Sequence, residues 1–177
     1  AADLPLVWAA WTKAELLDQW WAPKPYRTKT KSMNFSVGGS WHYAMISPEN
    51  ETHWCRADYQ TIDPLKSFSG LDAFCDEEGN INNEFPRSLW NNTFLSQGES
   101  TTVDIVIRYE NLEDLEKIVA LGFEEGFTMA LGNLDQYIKE QFRLRHLMRP
   151  DNKARVCTYL NFPGNTEEAF LFYQSVF

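Results

Sequence analysis

The chain has 177 residues, of which 44% are hydrophobic and 15% aromatic, so it can bury the sizeable core of one full domain. Its formal net charge of −9 argues against nonspecific binding to nucleic acid, which requires a basic face. The three cysteines have no paired spacing typical of a metal site, and no apolar stretch is long enough to span a bilayer. We therefore expect reduced thiols in a cytoplasmic protein without membrane insertion.

Two short helices are predicted at the start of the chain. Asp3 is a candidate N-cap, because Pro5 would then lie in the first helical turn. Thr12-Lys13-Ala14-Glu15 matches the capping-box pattern and predicts a second helix that begins at Thr12. Its apolar side ends in Trp20 and Trp21, and the prolines that follow stop it.

From Tyr26 onward the period changes to that of β-strands. Charged residues alternate with Thr and Ser over residues 27–32, which predicts a strand with one charged face. Gly38-Gly39, residues 47–51, 77–80 and 98–99 read as turns between further strands. Because the connections are of hairpin length, we expect an antiparallel meander of about six strands over residues 27–109.

Two helices are predicted after the strands. Asn111 is a candidate cap for a short helix, and a longer helical pattern runs from about Phe127 past Phe142 to Met148, before Pro150. Two short helices, a curved sheet and one long helix make an α+β domain in which the sheet wraps the helix. Such an arrangement leaves space for a ligand between the two layers.

Three segments of the sequence carry a family resemblance: VWAAWTKAELLDQWWAP, VGGSWHY and GFEEGFTMALGNLDQYI. They resemble the homologues of the activator of heat-shock protein 90 ATPase, over residues 1 to about 142. That family belongs to the START-like (SRPBCC) superfamily, so the resemblance implies a helix-grip fold over residues 1–148. It implies no single function, because the superfamily includes lipid carriers, hormone receptors and cyclases.

Two departures from the family pattern affect these expectations. The helix-grip fold normally begins with a strand before the first helix, whereas this numbering starts at the helix. The strand therefore lies outside this segment, or the sheet lacks an edge strand. The family also often has an acidic residue shortly before the Gly-Gly turn, and residues 34–37 contain none. A role tied to that carboxylate is therefore not expected here.

The C-terminal segment resembles a different family. After a linker at residues 149–153, residues 154–177 resemble the first strand and helix of a glyoxalase/bleomycin-resistance domain, with the sequence CTYLNFPGNTEEAFLFYQSVF. About 20 residues are too few to bury an independent core, so we expect a fragment of a second domain. The ligand position of those metalloenzymes falls near Thr158, a poor ligand, and no metal or cofactor is expected.

A vacant sheet edge would have a structural consequence. If the first strand is absent, the edge beside Ser100–Tyr109 is unpaired, and exposed edges recruit other strands. Val156–Phe162 is a candidate to fill that edge, either within the chain or from a neighbouring molecule in a homodimer.

The candidate ligand-binding residues are large and mostly aromatic. The resemblance places the two short helices at one end of a cavity, with Trp20 and Trp21 at its rim or floor, although core packing alone would also explain either indole. Alternation and helical spacing add further lining residues from the strands and the long helix. These are Trp41, Tyr43, Met45, Phe68, Phe74, Trp90, Phe94, Phe127 and Leu131.

Catalytic residues are not indicated by any motif. His42, His53 and His146 lack metal or triad spacing, although His42 and His53 fall on adjacent predicted strands. Asp58 and Asp104 would be general bases only if they pointed into the cavity, where burial raises a carboxyl pKa. Most strand aspartates face water, and we assign no catalytic residue.

Three functions therefore remain open. The first is binding of a small hydrophobic or amphipathic molecule, favoured by an apolar cavity of several hundred Å³. The second is a co-chaperone-like interaction with a heat-shock ATPase, implied by the family name and favoured by an exposed apolar patch. The third is a cyclase or hydrolase, or a glyoxalase-type activity in a missing second domain. A buried carboxylate or histidine with a strongly shifted pKa inside the cavity would favour an enzyme.

Overall fold

The computed structural model describes residues 2–147, which form four helices and one six-stranded sheet. In chain order these are α1 (Leu4–Thr12), α2 (Ala14–Trp20), β1 (Arg27–Met33), β2 (Ser40–Ile46), β3 (Thr52–Asp63), β4 (Ser67–Cys75), β5 (Ser88–Gln97), β6 (Ser100–Arg108), α3 (Leu112–Ala120) and α4 (Phe123–Leu147). The linker, the glyoxalase-like fragment and Val156–Phe162 lie outside the described residues, so the expectations placed on them stay predictions.

The sheet is an antiparallel meander in which each strand pairs with its neighbour in sequence, in the order β1 to β6. Bulges interrupt the β1–β2 ladder between Thr30 and Ser32 and the β3–β4 ladder between Tyr59 and Thr61. Bulges bend strands and increase twist, which suits a sheet that curves around a helix. The expected α+β helix-grip architecture is confirmed.

Polar side chains fix the start of two helices as the sequence predicts. The Leu6 N–H donates to the Asp3 carboxylate at 3.1 Å, at the start of α1. The Asp114 N–H donates to the Asn111 side-chain oxygen at 2.9 Å, at the start of α3. Each bond satisfies a backbone donor that has no partner within its own helix.

The predicted capping box at Thr12 is wrong. Thr12 is the last residue of α1, and its hydroxyl donates to the Trp8 carbonyl at 2.7 Å in the same helix. Lys13 occupies the N-cap position of α2 without a side-chain bond to the helix. A threonine hydroxyl can bond one turn backward as well as forward, and here the backward bond is formed.

Helix α2 is joined to the sheet by a short chain of hydrogen bonds. The backbone N–H and the hydroxyl of Thr30 on β1 donate to the Asp18 carboxylate at 2.9 and 2.7 Å. The indole N–H of Trp41 on β2 donates to the same Thr30 hydroxyl at 2.9 Å. Two strands and a helix are thereby held in one arrangement.

The main core lies between the concave face of the sheet and helices α1, α2 and α4. Trp8 of α1 packs edge to face on Phe94 of β5, with ring centroids 4.9 Å apart. Ala130 and Leu134 bring α4 into buried contact, and the Asn133 side-chain amide donates to the Ala22 carbonyl at 2.9 Å. None of the described helices combines the length and hydrophobicity needed to cross a membrane.

Candidate functional site

The two adjacent tryptophans at the end of α2 have different environments. Trp20 is 1% exposed, and its indole N–H donates to the Ala10 carbonyl at 2.9 Å. Trp21 is only half-buried, and its ring lies within 5.3 Å of Trp41 and 6.1 Å of Phe127, measured between centroids. Trp20 is therefore a core residue, whereas Trp21 lies between the core and the space beside it and forms part of that space's wall.

That space is a cavity of about 230 Å³, partly open to solvent, between the sheet and the α3–α4 junction. Most of its lining is apolar, and aromatic rings contribute from β2, β4, β5 and α4. The lining residues are Trp21, Pro23, Tyr43, Met45, Cys55, Asp72, Phe74, Trp90, Ile118, Leu121, Gly122, Phe123, Gly126 and Phe127.

The structure divides the sequence-predicted lining residues into three groups. Trp21, Tyr43, Met45, Phe74, Trp90 and Phe127 face the cavity of about 230 Å³. Trp41 and Phe68 border an adjoining space of only about 40 Å³, which Trp21, Trp90 and Asp72 also line. Trp20, Phe94 and Leu131 pack in the core or against it and border neither space.

Sequence reasoning missed the one carboxylate among the lining residues, Asp72. Phe68, Gly70, Asp72 and Phe74 alternate along β4 and therefore share one face. A charged residue in an otherwise apolar row was a signal that could have revealed it. The lining residues of α3 and the α3–α4 junction were also missed, since which helix covers a strand cannot be read from periodicity.

Asp72 is half-buried, and its accessible surface faces the two spaces that it lines. Burial raises the pKa of Asp72 to about 7, with the Arg87 charge opposing the shift and the Asp58 charge adding to it. Among the described side chains, none forms a hydrogen bond or ion pair with the Asp72 carboxylate. Near neutral pH, this carboxyl is therefore present in both its acid and ionised forms.

The two aspartates considered as general bases lie elsewhere. Asp58 accepts from Arg56 Nε at 2.7 Å and from Arg87 Nη2 at 2.6 Å, and Arg87 also donates to the Leu71 carbonyl. Burial alone would raise the pKa of Asp58, but these arginines outweigh it and lower the pKa below its ordinary value. Asp104 is exposed on β6. Neither residue lines the cavity.

The other polar groups at the cavity are a phenol, a thiol and an indole N–H. Burial raises the pKa of Tyr43 and of Cys55 well above their ordinary values, and the charge of Asp72 adds to both shifts. The Trp21 indole N–H faces the Tyr43 hydroxyl and favours its ionised form, but without the geometry of a full hydrogen bond.

The histidines of adjacent strands do not form a site. The strand register places His42 opposite Arg56 and His53 opposite Met45. A ring nitrogen of His42 lies 3.2 Å from the Asp76 carbonyl, while the His53 ring packs against Tyr26. Among the side chains that the structure describes, no group of three potential ligands is placed to hold a metal ion.

The rim of the cavity lies at the α3–α4 junction. Gly122 has a φ of 82°, a left-handed conformation that ends α3 and that other residues adopt at a cost. Leu121 beside it is 57% exposed although it lines the cavity. Glu124 and Glu125 occupy the first turn of α4, and a Cβ on Gly122 would stand 4.0 Å from a Glu125 carboxylate oxygen. These two glutamates therefore add negative charge beside the rim.

A second surface feature lies on α3. Leu112, Leu115 and Val119 are exposed large hydrophobic residues, while Ile118 on the other side of the helix is buried. At helical spacing the three fall along one stripe.

The architecture is that of the START-like class: a curved sheet wraps a long helix, and an apolar cavity lies beside the sheet. The sequence model described as "Activator of Hsp90 ATPase homolog 1-like protein" matches residues 1–139, and the chain belongs to this family. A search of curated proteins gave no match.

Several solved structures share the fold. Protein Ms6760 from Mycobacterium smegmatis is 27% identical, with a TM-score of 0.72 over 78% of this chain and 85% of that chain. A protein from Arthrobacter aurescens is 24% identical, with a TM-score of 0.75 over 90% of this chain and 88% of that chain. A protein from Staphylococcus epidermidis is 22% identical, with a TM-score of 0.70 over 89% and 90%. At this identity the last two likenesses concern the fold alone.

Proposed function

We propose that the protein binds a small hydrophobic or amphipathic molecule in the cavity between the sheet and the α3–α4 junction. The observation that carries the proposal is the apolar space of about 230 Å³ with a few polar groups in its lining. Ligand sites in proteins have this composition, because apolar walls supply affinity and isolated polar groups fix orientation.

The cavity volume limits the size of the ligand. An engineered apolar cavity of about 150 Å³ holds benzene, which has six heavy atoms. By proportion, about 230 Å³ accommodates roughly nine or ten heavy atoms, with more room toward the open rim. A single ring with a short side chain fits this limit.

The test uses 2-phenylethanol as the probe and compares two glycine variants of α4. Gly126 lines the cavity, and a Cβ there would meet Pro23 at 3.7 Å, so Gly126→Leu directs added carbons into the space. Gly132 is exposed on the same helix with nothing within 4 Å, so Gly132→Leu is the matched control.

Both substitutions raise helix propensity, by about 1 kcal/mol each, and therefore have similar effects on the helix itself. We expect Gly126→Leu to weaken probe binding at least tenfold in NMR titrations, and Gly132→Leu to leave it unchanged. Absence of binding to the wild-type protein, or equal binding by both variants, would contradict the proposal. Native mass spectrometry of the protein purified from its own host would show a co-purifying molecule.

A second candidate is binding to an Hsp90-type ATPase, named in the description of the family. The observation that favours it is the exposed apolar stripe of Leu112, Leu115 and Val119 on α3. The test measures ATP hydrolysis by the Hsp90 of the source organism with and without this protein. Stimulation that Leu112→Ser and Val119→Ser abolish supports this role, and unchanged hydrolysis contradicts it.

A further inference from the structure

We propose that the cavity selects a small organic amine, bound as its ammonium ion against the Asp72 carboxylate and the surrounding aromatic rings. This inference rests on the proposed function, and it specifies the chemical class of the ligand. It follows from three features: a carboxylate with no hydrogen-bonded cation, a lining rich in aromatic faces and two glutamates in the adjacent first turn of α4.

The Asp72 carboxylate has no cationic neighbour among the described residues that line the cavity with it. No lysine or arginine is among the residues that line the cavity. The neighbouring cation, Arg87, is engaged by the Asp58 carboxylate at 2.6 Å and the Leu71 carbonyl at 2.9 Å. A buried carboxylate is costly unless it is paired, and a ligand cation is the partner that would reduce this cost.

The walls around Asp72 are suited to a cation. Trp21, Trp90 and Phe127 form one continuous cluster, with centroid separations of 5.8 Å between the indoles and 5.1 Å from Trp90 to Phe127. Tyr43 and Phe74 add further rings to the lining. Aromatic faces attract ammonium groups, and tryptophan does so most strongly. The same faces also hold the apolar part of the ligand.

Charge outside the cavity acts in the same direction. Glu124 and Glu125 follow the lining residue Phe123 in the first turn of α4, and the whole chain has a net charge of −9. Fields of this sign attract cations and repel anions during approach to a site. An anionic ligand would face both this field and Asp72, so a carboxylate or phosphate is disfavoured.

The test compares 2-phenylethylamine with 2-phenylethanol, which have the same shape and nine heavy atoms each, so both match the size limit. We expect the amine to bind at least tenfold more tightly than the alcohol at pH 8. Asp72→Asn should remove this preference and leave alcohol binding within about twofold. Asp104→Asn, at an exposed strand position, is the matched control and should preserve the preference.

The two proposals fail in distinguishable ways. If amine and alcohol bind equally and Asp72→Asn changes neither, the inference is wrong and the proposed function stands. If neither probe binds, or if binding is indifferent to Gly126→Leu, the proposed function itself is wrong.

A measurement on the wild-type protein covers the case in which Asp72→Asn fails to fold. Amine affinity should fall at least ~10-fold from pH 8 to pH 5.5, because Asp72 becomes protonated while the amine stays charged. Alcohol affinity should change much less. Equal pH profiles for the two probes would overturn the inference.

Groups packed around Asp72 do not titrate in this range. The surrounding phenols and thiols all have raised pKa values, and the Asp58 carboxyl has a lowered one. These groups are Tyr43, Tyr59, Tyr109, Cys55, Cys75 and Asp58.

Discussion

The rings of Trp20 and Trp21 lie edge to face with their centroids 5.2 Å apart, yet only Trp21 lines the cavity. Trp20→Phe removes the hydrogen bond to the Ala10 carbonyl and leaves a small void, so we expect the free energy of unfolding to fall by about 2–3 kcal/mol. Affinity for 2-phenylethanol should not change. Urea denaturation followed by circular dichroism measures the first quantity, and NMR titration the second.

Trp21→Phe should change probe affinity more than the free energy of unfolding. The residue is half-buried and its indole N–H lacks a well-aligned acceptor, so we expect a loss of at most ~1 kcal/mol in unfolding free energy. The shape of the cavity wall changes, and probe affinity should shift several-fold. Equal stability losses in both variants with unchanged affinity would place both indoles in the core and contradict this assignment.

The pH dependence of stability should report on Asp72. Between the unfolded pKa of 3.8 and the folded pKa of about 7, the folded state holds one proton more than the unfolded state. The free energy of unfolding therefore decreases as pH rises through this window, by up to ~1.4 kcal/mol per pH unit. Above pH 7 the contribution levels off, and the folded protein then contains an ionised buried carboxylate.

Asp72→Asn should remove this slope, because asparagine does not titrate. We expect the variant to exceed the wild-type unfolding free energy by on the order of 4 kcal/mol at pH 8, and by less than half of that at pH 5. Asp58 contributes with the opposite sign: its lowered pKa stabilises the fold above pH 4, and this is lost only at lower pH. Urea titrations at several pH values measure both, and an unchanged slope in Asp72→Asn would contradict the assignment.

Arg87 should influence the cavity carboxylate through the sheet. Its positive charge lowers the pKa of Asp72, although its hydrogen bonds go to Asp58 and Leu71. Arg87→Gln should therefore raise the pKa of Asp72 above 7, as measured by carbon-13 NMR titration of the carboxyl group. Lys66→Gln is the control: Lys66 bonds exposed Asp63 at 3.1 Å and should leave the Asp72 titration unchanged.

The cap of α3 should affect ligand binding through the rim. Asn111→Ala removes the bond to the Asp114 N–H and should cost about 1 kcal/mol of stability. Because α3 and its C-terminal end supply Ile118 and Leu121 to the cavity, probe affinity should also fall. Asp3→Ala removes the corresponding cap of α1 at similar cost and should not change affinity. Hydrogen exchange of the α3 amides gives an independent measure.

Much of the fold follows from local patterns. The strand predicted over residues 27–32 matches β1, and the turns predicted at residues 47–51 and 98–99 fall between β2 and β3 and between β5 and β6, because turn residues separate the strands. Trp41, Tyr43 and Met45 share a face as alternation requires. The capping box at Thr12 was predicted wrongly because a threonine hydroxyl can either accept from a backbone N–H ahead of it or donate to a carbonyl one turn behind it. The sequence alone does not decide between these two bonds.

The candidate site was only partly predictable. Trp90 and Phe94 share one face of β5, but Trp8 covers Phe94 while Trp90 remains open to the cavity. Periodicity gives the face of a strand, whereas the helix that covers each residue is set by tertiary packing. Asp58 and Asp72 are both strand aspartates, and only the register and the arginines behind the sheet separate an ion-paired surface group from a cavity carboxylate.

The hydrogen bonds that join Asp18, Thr30 and Trp41 have a consequence for how a ligand enters the cavity. These hydrogen bonds anchor α2, and with it the indole of Trp21, to two strands. This wall of the cavity is therefore held in place. The opposite side is formed by Leu121 and Gly122, where the chain reverses between two helices and reaches solvent. We therefore expect a ligand that enters or leaves to displace the turn between α3 and α4, while α2 keeps its position.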